Sequence, residues 1–342
     1  MIGQQEPCFV DTHGRRLAFG APVSALDWIG DDAWFALGDG RVEAMASDGS
    51  GKTVRVHDGA ILSAAIHPDG VSLITGGDDG LVIRTDADGG VTPLGSFAGK
   101  WVDHLATSRK SGLIVAAVGK EAVVWHKASA QPLHRFVLPS TIGGLALDDN
   151  GKRLCAAHYS GATLFYAASA DSTPVGLAWA GSHIGCTIAP TGRFVVTSVQ
   201  ETGLHGWQLP AKSDLAMSGY AGKTRSFSWN RSGKWLATSG DRQAILWPFA
   251  AKNGPIGKSP HLLAPANSLV TRVAFHPRDE VLAVGYADGA VAIAQLADEA
   301  VLPIQDADGS AITALAWRDD GKLLAWGSED GLGGLLDMRV RA

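Results

Sequence analysis

Four Asp-Gly pairs, Asp39-Gly40, Asp79-Gly80, Asp288-Gly289 and Asp330-Gly331, set carboxylates along the chain at intervals that invite an acid–base reading. Asp-Gly is equally the dipeptide that a tight two-residue hairpin turn demands, because both central residues then take positive φ. Each pair stands between short apolar runs, so the turn is the expected role. The eleven histidines divide in the same way. His67 and His276 each precede a proline at a turn, and His57 precedes Asp58-Gly59. His158 and His183 fall on neighbouring strand-like runs and could face one rim, but spacing alone does not bring them together. Cys8, Cys155 and Cys186 are odd in number and lack metal-ligand spacing. Cys155 and Cys186 read as small core residues, which fits a reducing, cytoplasmic compartment. No phosphate-binding Gly-rich loop, paired-histidine metalloprotease motif, Cys-x-x-Cys or nucleophile elbow is present. No catalytic residue, metal ligand or cofactor is assigned.

What positions these residues is a repeat. The stretch 312–338, ITALAWRDDGKLLAWGSEDGLGGLLDM, reads as three short strands separated by Asp-Gly turns. Copies of it start at 23, 61, 102, 142, 183, 224, 270 and 312, in steps of about 41 residues. Outer strands are expected between the copies, at 52–57, 93–97, 132–138, 174–179, 214–220, 260–264 and 300–304. Prolines open four of them (Pro93, Pro132, Pro174, Pro260), as a solvent-facing edge tolerates. A period near 40–45 with several strands per copy is that of a propeller blade.

The repeat resembles that of the WD-repeat β-propeller family over nearly the whole chain. The family's first turn is echoed by His67-Pro68-Asp69-Gly70, Ala189-Pro190-Thr191-Gly192 and Asn230-Arg231-Ser232-Gly233, and its second by Gly77-Asp78-Asp79-Gly80. The closing Trp-Asp is degenerate, as in Trp125-His126, Trp207-Gln208, Trp247-Pro248 and Leu336-Asp337. Degenerate hallmarks imply that the family's buried Asp–His–Ser–Trp network is absent or partial in most blades, leaving apolar packing to hold them. His57 reads either as a shifted remnant of that network or as an exposed loop residue. Trp28, Trp229 and Trp317 at the ends of first strands, with Trp125, Trp207 and Trp247 at the ends of third strands, are expected to pack between blades.

The expected fold is all-β, a single propeller of four-stranded antiparallel blades formed by residues 1–342 as one domain. Eight blades are expected, or seven if 23–45 is irregular. The last copy lacks an outer strand and residues 15–20 offer one, so the N-terminal strand should close the ring. Hydrophobic residues make up 46% of the chain, ample for such a core, and 43 glycines suit its many turns. A net charge of −5 with no basic block gives no electrostatic footprint for nucleic acid. No apolar run reaches eighteen residues, so no membrane span is expected, and the N-terminus carries no signal-peptide pattern.

The resemblance implies a non-enzymatic platform that binds a protein or peptide on its top face or at the channel mouth. The alternatives are a metal-dependent hydrolase or lactonase sited in the channel, and a small-ligand sensor. Trp101 stands out, because the position just before each first strand is otherwise held by small or polar residues and one leucine. Around it the expected partner-binding set is Asp103, His104, Arg225 and Arg272 at strand starts, with Tyr159 and Tyr286 near the turns between second and third strands. Aromatics and arginine are the residues that anchor interfaces.

Overall fold

The computed structural model describes residues 8–339. Its strands lie in antiparallel sheets arranged as one ring, and the eight repeats appear in chain order as units 1 to 8. In unit 1 the strands are Val23–Ile29, Asp32–Leu37, Arg41–Met45 and Gly51–Arg55, so residues 23–45 form a regular part of a blade. The Asp-Gly turns work by a different geometry from the one expected. In Gly77–Gly80 the Gly80 N–H donates to the Gly77 carbonyl, and among these residues only Gly80 has positive φ, at 80°. This is a type I turn followed by a left-handed glycine. Asp79 supports it by accepting from the Leu81 N–H at 3.0 Å. Glycine is required at position 80 for a second reason: a Cβ there would overlap the Phe97 carbonyl just past the outer strand Val91–Ser96.

Counted as hydrogen-bonded sheets among the described residues, the blades number seven, the second of the two counts expected, and not eight separate ones. Six sheets have four strands; the seventh has six and carries both unit 4 and unit 5. The cause is the strand Val175–Ile188, which serves as the outer strand of unit 4 and continues without a break as the first strand of unit 5. Within Arg153–Tyr166 the chain doubles back. The Ala167 N–H donates to the Lys152 carbonyl at 2.8 Å, and Ser160 and Gly161 both have positive φ. Unit 4 thus keeps its own second and third strands inside that one run. All eight units stand around the ring.

The core is divided to match. Among the described residues eight apolar clusters lie between consecutive units, one of them joining unit 8 to unit 1. Cys155 and Cys186 are buried together in the cluster between units 4 and 5. The expected tryptophans bind units to one another. The indole N–H of Trp28 donates to the Ala316 carbonyl, that of Trp317 to the Ala274 carbonyl and that of Trp229 to the Thr187 hydroxyl, each on the preceding unit. Burying an indole stabilises strongly, provided its polar N–H finds a partner.

The ring closes as the sequence led one to expect, with small differences in extent. Strand Gly14–Ala18 pairs with Leu332–Asp337 of unit 8, from Gly14 opposite Leu336 to Ala18 opposite Leu332. Ahead of it lies a short helix, Phe9–His13, where a polar lead-in was expected. Its Val10 is fully buried against Leu336, Trp326 and Ile304. The Asp11 carboxylate accepts from Arg16 Nε at 2.6 Å and ties helix to strand.

The buried polar network survives in altered form. His57 is buried, as a remnant would be, with Nε2 2.9 Å from the Thr75 hydroxyl and Nδ1 2.9 Å from Asp79. The tryptophan place of that network is taken by Thr85, whose buried hydroxyl has no partner among the described residues. In unit 6 a tyrosine does the work of the histidine: Tyr220 bonds the Thr238 hydroxyl at 2.7 Å and accepts from the Trp247 indole at 2.8 Å.

Candidate functional site at the top of the channel

The first strands line the channel, and the ends where they begin are called the top here. The residue at the repeat position leading into each first strand is buried: Val23, Ile61, Val102, Ile142, His183, Thr224, Val270 and Ile312, although in units 3 and 6 the strand itself begins only at His104 and Phe227. This position holds the loop down. The next residue is where six of the eight units carry a register shift against the second strand. A bulge leaves one residue out of the ladder and re-aims its side chain. Four of the six bulged residues, Ser24, Leu62, Thr271 and Thr313, line a cavity of about 870 Å³ at the top. Arg225 joins them from the equivalent place in unit 6.

The bulged hydroxyls are already committed. Thr271 donates to the Ile312 carbonyl at 2.7 Å, and Thr313 bonds the Val23 carbonyl, so each staples its unit to the next. What remains uncommitted is positive charge. Lys223, Arg225 and Arg272 line the cavity and make no ion pair among the described residues. Arg272 is half-buried and fixed in place: its Nε donates to the Thr313 carbonyl at 2.6 Å and its Nη1 to the Thr271 carbonyl at 2.9 Å. Burial, followed by the charge of Arg225, pushes its guanidinium down to about 10. Glu329 is the one carboxylate among the lining residues and pairs with none of the three.

The expected site residues fall as follows. Trp101 is 65% exposed and stands at the repeat position occupied by Lys223 and Leu269, which both line the cavity. Asp103 and His104 lie beside it, partly buried and 3.9 Å apart; burial holds the His104 pKa down while Asp103 opposes it. Neither lines the cavity. Tyr159 is exposed at the top turn of unit 4, where Ser140 accepts its N–H. Tyr286 corrects the expectation. It is buried in the cluster between units 6 and 7, with its hydroxyl donating to the Ala264 carbonyl at 2.6 Å, so it offers nothing to a partner. Lys223 was absent from the expected set, although its repeat position, the one shared with Trp101, marks it.

His158 and His183 do not converge on a rim site. Each is buried and bonded to a threonine of its own unit, Thr163 at 2.9 Å and Thr197 at 2.8 Å. Among the described residues no group of three or more His, Cys, Asp or Glu side chains is arranged to hold a metal ion. Among the described residues no helix is long and apolar enough to cross a membrane.

Residues 46–83 and 215–248 match the family described as WD domain, G-beta repeat, and residues 273–340 match that described as Anaphase-promoting complex subunit 4 WD40 domain. The chain is a WD-repeat β-propeller. A curated relative, Autophagy-related protein 16 of Arabidopsis thaliana, is 24% identical over 310 residues. The match covers 85% of this chain and spans 58% of the length of that relative. The crystal structure of a computationally designed protein, Ika8, superposes with a TM-score of 0.78 at 16% identity, covering 94% of this chain and 97% of that one. The second likeness is one of fold alone. WD-repeat propellers serve in general as scaffolds for protein interaction.

Proposed function

We propose that this propeller is a non-enzymatic interaction platform whose units act as one domain and receive a protein or peptide partner at the top of the channel. The observation that carries the reading is the open cavity with uncommitted cations, Lys223, Arg225 and Arg272, on the same face as the exposed Trp101. A large exposed aromatic in a polar, charged rim is the form an interface anchor takes. Asp103, His104 and Tyr159 extend the surface; Tyr286 does not. The match of the last two units to a domain described as part of a complex subunit suits a chain that works by assembly. The buried thiols of Cys155 and Cys186 suit a reducing, cytoplasmic setting.

Photo-crosslinking from two positions tests the reading. A crosslinker in place of Trp101 reports on the top, and one in place of the exposed Val71 reports on the opposite end. The expected outcome in the native cell extract is a discrete crosslinked protein from position 101 and none from position 71. Equal crosslinking at both positions, or none at 101, would overturn it.

A further inference from the structure

We propose that the cavity at the top of the channel binds an oxyanion, a phosphoryl or carboxylate group carried by the peptide partner, clamped between Arg225 and Arg272. The proposal rests on the platform reading and names the chemistry that the platform recognises. Three cations converge on one cavity in a chain whose net charge is −5, so the local sign runs against the global one. Arginine is held there in the manner of a receptor. Two backbone carbonyls fix the Arg272 guanidinium, while its Nη2 has no acceptor among the described residues. Arg225 is exposed beside it, and its side chain makes no hydrogen bond among the described residues. Two guanidiniums near one another repel, and at neutral pH neither can shed its charge. An oxyanion between them turns that repulsion into two charge-assisted pairs, each of the kind arginine forms in bidentate geometry. The hydroxyls of Thr271 and Thr313 are spent on neighbouring carbonyls, so a neutral polyol would find few free partners. An anion would find three cations.

Inorganic phosphate is the first probe, titrated into the intact chain at constant ionic strength and followed by phosphorus NMR line width. Saturable binding is expected, weakened about tenfold or more in Arg225→Gln, as loss of one charged hydrogen bond implies. Arg272→Gln should do the same; if it fails to fold, Arg225→Gln decides alone, because that side chain supports no other part of the fold. Absence of saturable binding, or equal binding by the wild type and Arg225→Gln, overturns the proposal. A glycine-rich pentapeptide with a central phosphoserine is the second probe. Tighter binding than phosphate supports a peptide-borne group. Binding no tighter than phosphate overturns the peptide source and assigns the site to a free small oxyanion. Failure here leaves crosslinking at position 101 as an independent measure, so the loss of the anion site and the loss of the platform are told apart.

Discussion

Each end of the channel holds a charged group with no ion pair among the described residues, Arg272 at the top and Asp27 at the bottom. At the top, Lys223, Arg225 and Arg272 face the single carboxylate Glu329. At the bottom, where the first strands finish, Arg109 of unit 3 reaches Asp319 of unit 8 at 3.7 Å, across the channel mouth. Asp27 of unit 1 lies near both. Its carboxyl is pushed up to about 6, chiefly by burial and further by Asp319, with the Trp28 N–H and Arg109 pulling the other way. A surplus carboxylate has its own remedy, since it takes up a proton at mildly acidic pH. A surplus arginine has none, since even at about 10 it stays charged under any physiological condition. The bottom can therefore settle its charge alone, whereas the top settles it by binding.

Both ends exist only while the ring is closed, so opening the ring should have the largest effect. Deleting residues 1–20 removes the strand paired with Leu332–Asp337, with Val10, Leu17 and Phe19 from two interblade clusters. Loss of Phe19 alone is worth about 3–5 kcal/mol. The truncated chain should lose cooperative melting and become polydisperse by light scattering. A truncated chain that melted like the intact one would show that the ring does not depend on this strand.

The bottom end is tested by pH. The folded state raises the Asp27 pKa from the ordinary 3.8 to about 6. Between those values the folded chain holds a proton that the unfolded chain has released, so stability should fall as pH rises through that window and stay lower above it. Asp27→Asn removes the penalty. Unfolding in urea at pH 7.5, a condition of about neutral charge state for histidine, should show the variant about 1–3 kcal/mol more stable than the wild type. The two should converge near pH 4. A variant less stable at every pH would mean that the carboxylate makes a needed bond.

How much of this was legible follows from what repeats and what does not. Turns, strands and the ring-closing pair recur or complete a pattern, so the sequence shows them. Helix Phe9–His13 is anchored by one buried side chain, Val10, too little to leave a periodic signal. The join between units 4 and 5 falls at Ala180-Gly181, where no turn dipeptide marks whether the strand stops or continues. Tyr286 pairs with Val270 at the register place that His158 holds opposite Ile142, so it turns inward as His158 does, whereas Tyr159 lies one residue further on and stays exposed. Arg225 and Arg272 at the top were legible one by one, and Lys223 was passed over. The bulge that re-aims the lining residues was not legible, because register shifts depend on how two strands pair and carry no residue signature of their own.

The top end predicts a trade of stability against binding. Arg225→Glu replaces repulsion with attraction toward Arg272, which should raise stability by about 0.5–1 kcal/mol at low salt and lose that gain at high salt. The same variant should no longer bind phosphate. Groups placed for binding commonly cost the fold something. A variant that is destabilised at low salt would mean that Arg225 has a partner within the fold.

Trp101→Ala should have the smallest effect on the fold, and the reason separates two roles for one side chain. At 65% exposure, Trp101 belongs to none of the eight clusters that join the units. The residue after it, Val102, is fully buried and holds the loop in place without it. Truncating a surface side chain that fills no cavity changes stability by about 0.5 kcal/mol or less, whereas a tryptophan wedged between blades would cost about 3–5 kcal/mol. Melting of Trp101→Ala should therefore follow the wild type closely. Phosphate binding should also persist, because the indole supplies no charge to Arg225 or Arg272. Partner affinity should fall, by roughly 2 kcal/mol if the indole is an anchor. The three readouts separate the rim from the cavity. A large drop in melting temperature would place the indole in the core, and loss of phosphate binding would join it to the cation site. Unchanged partner affinity would leave the cavity alone as the place where this face meets another molecule.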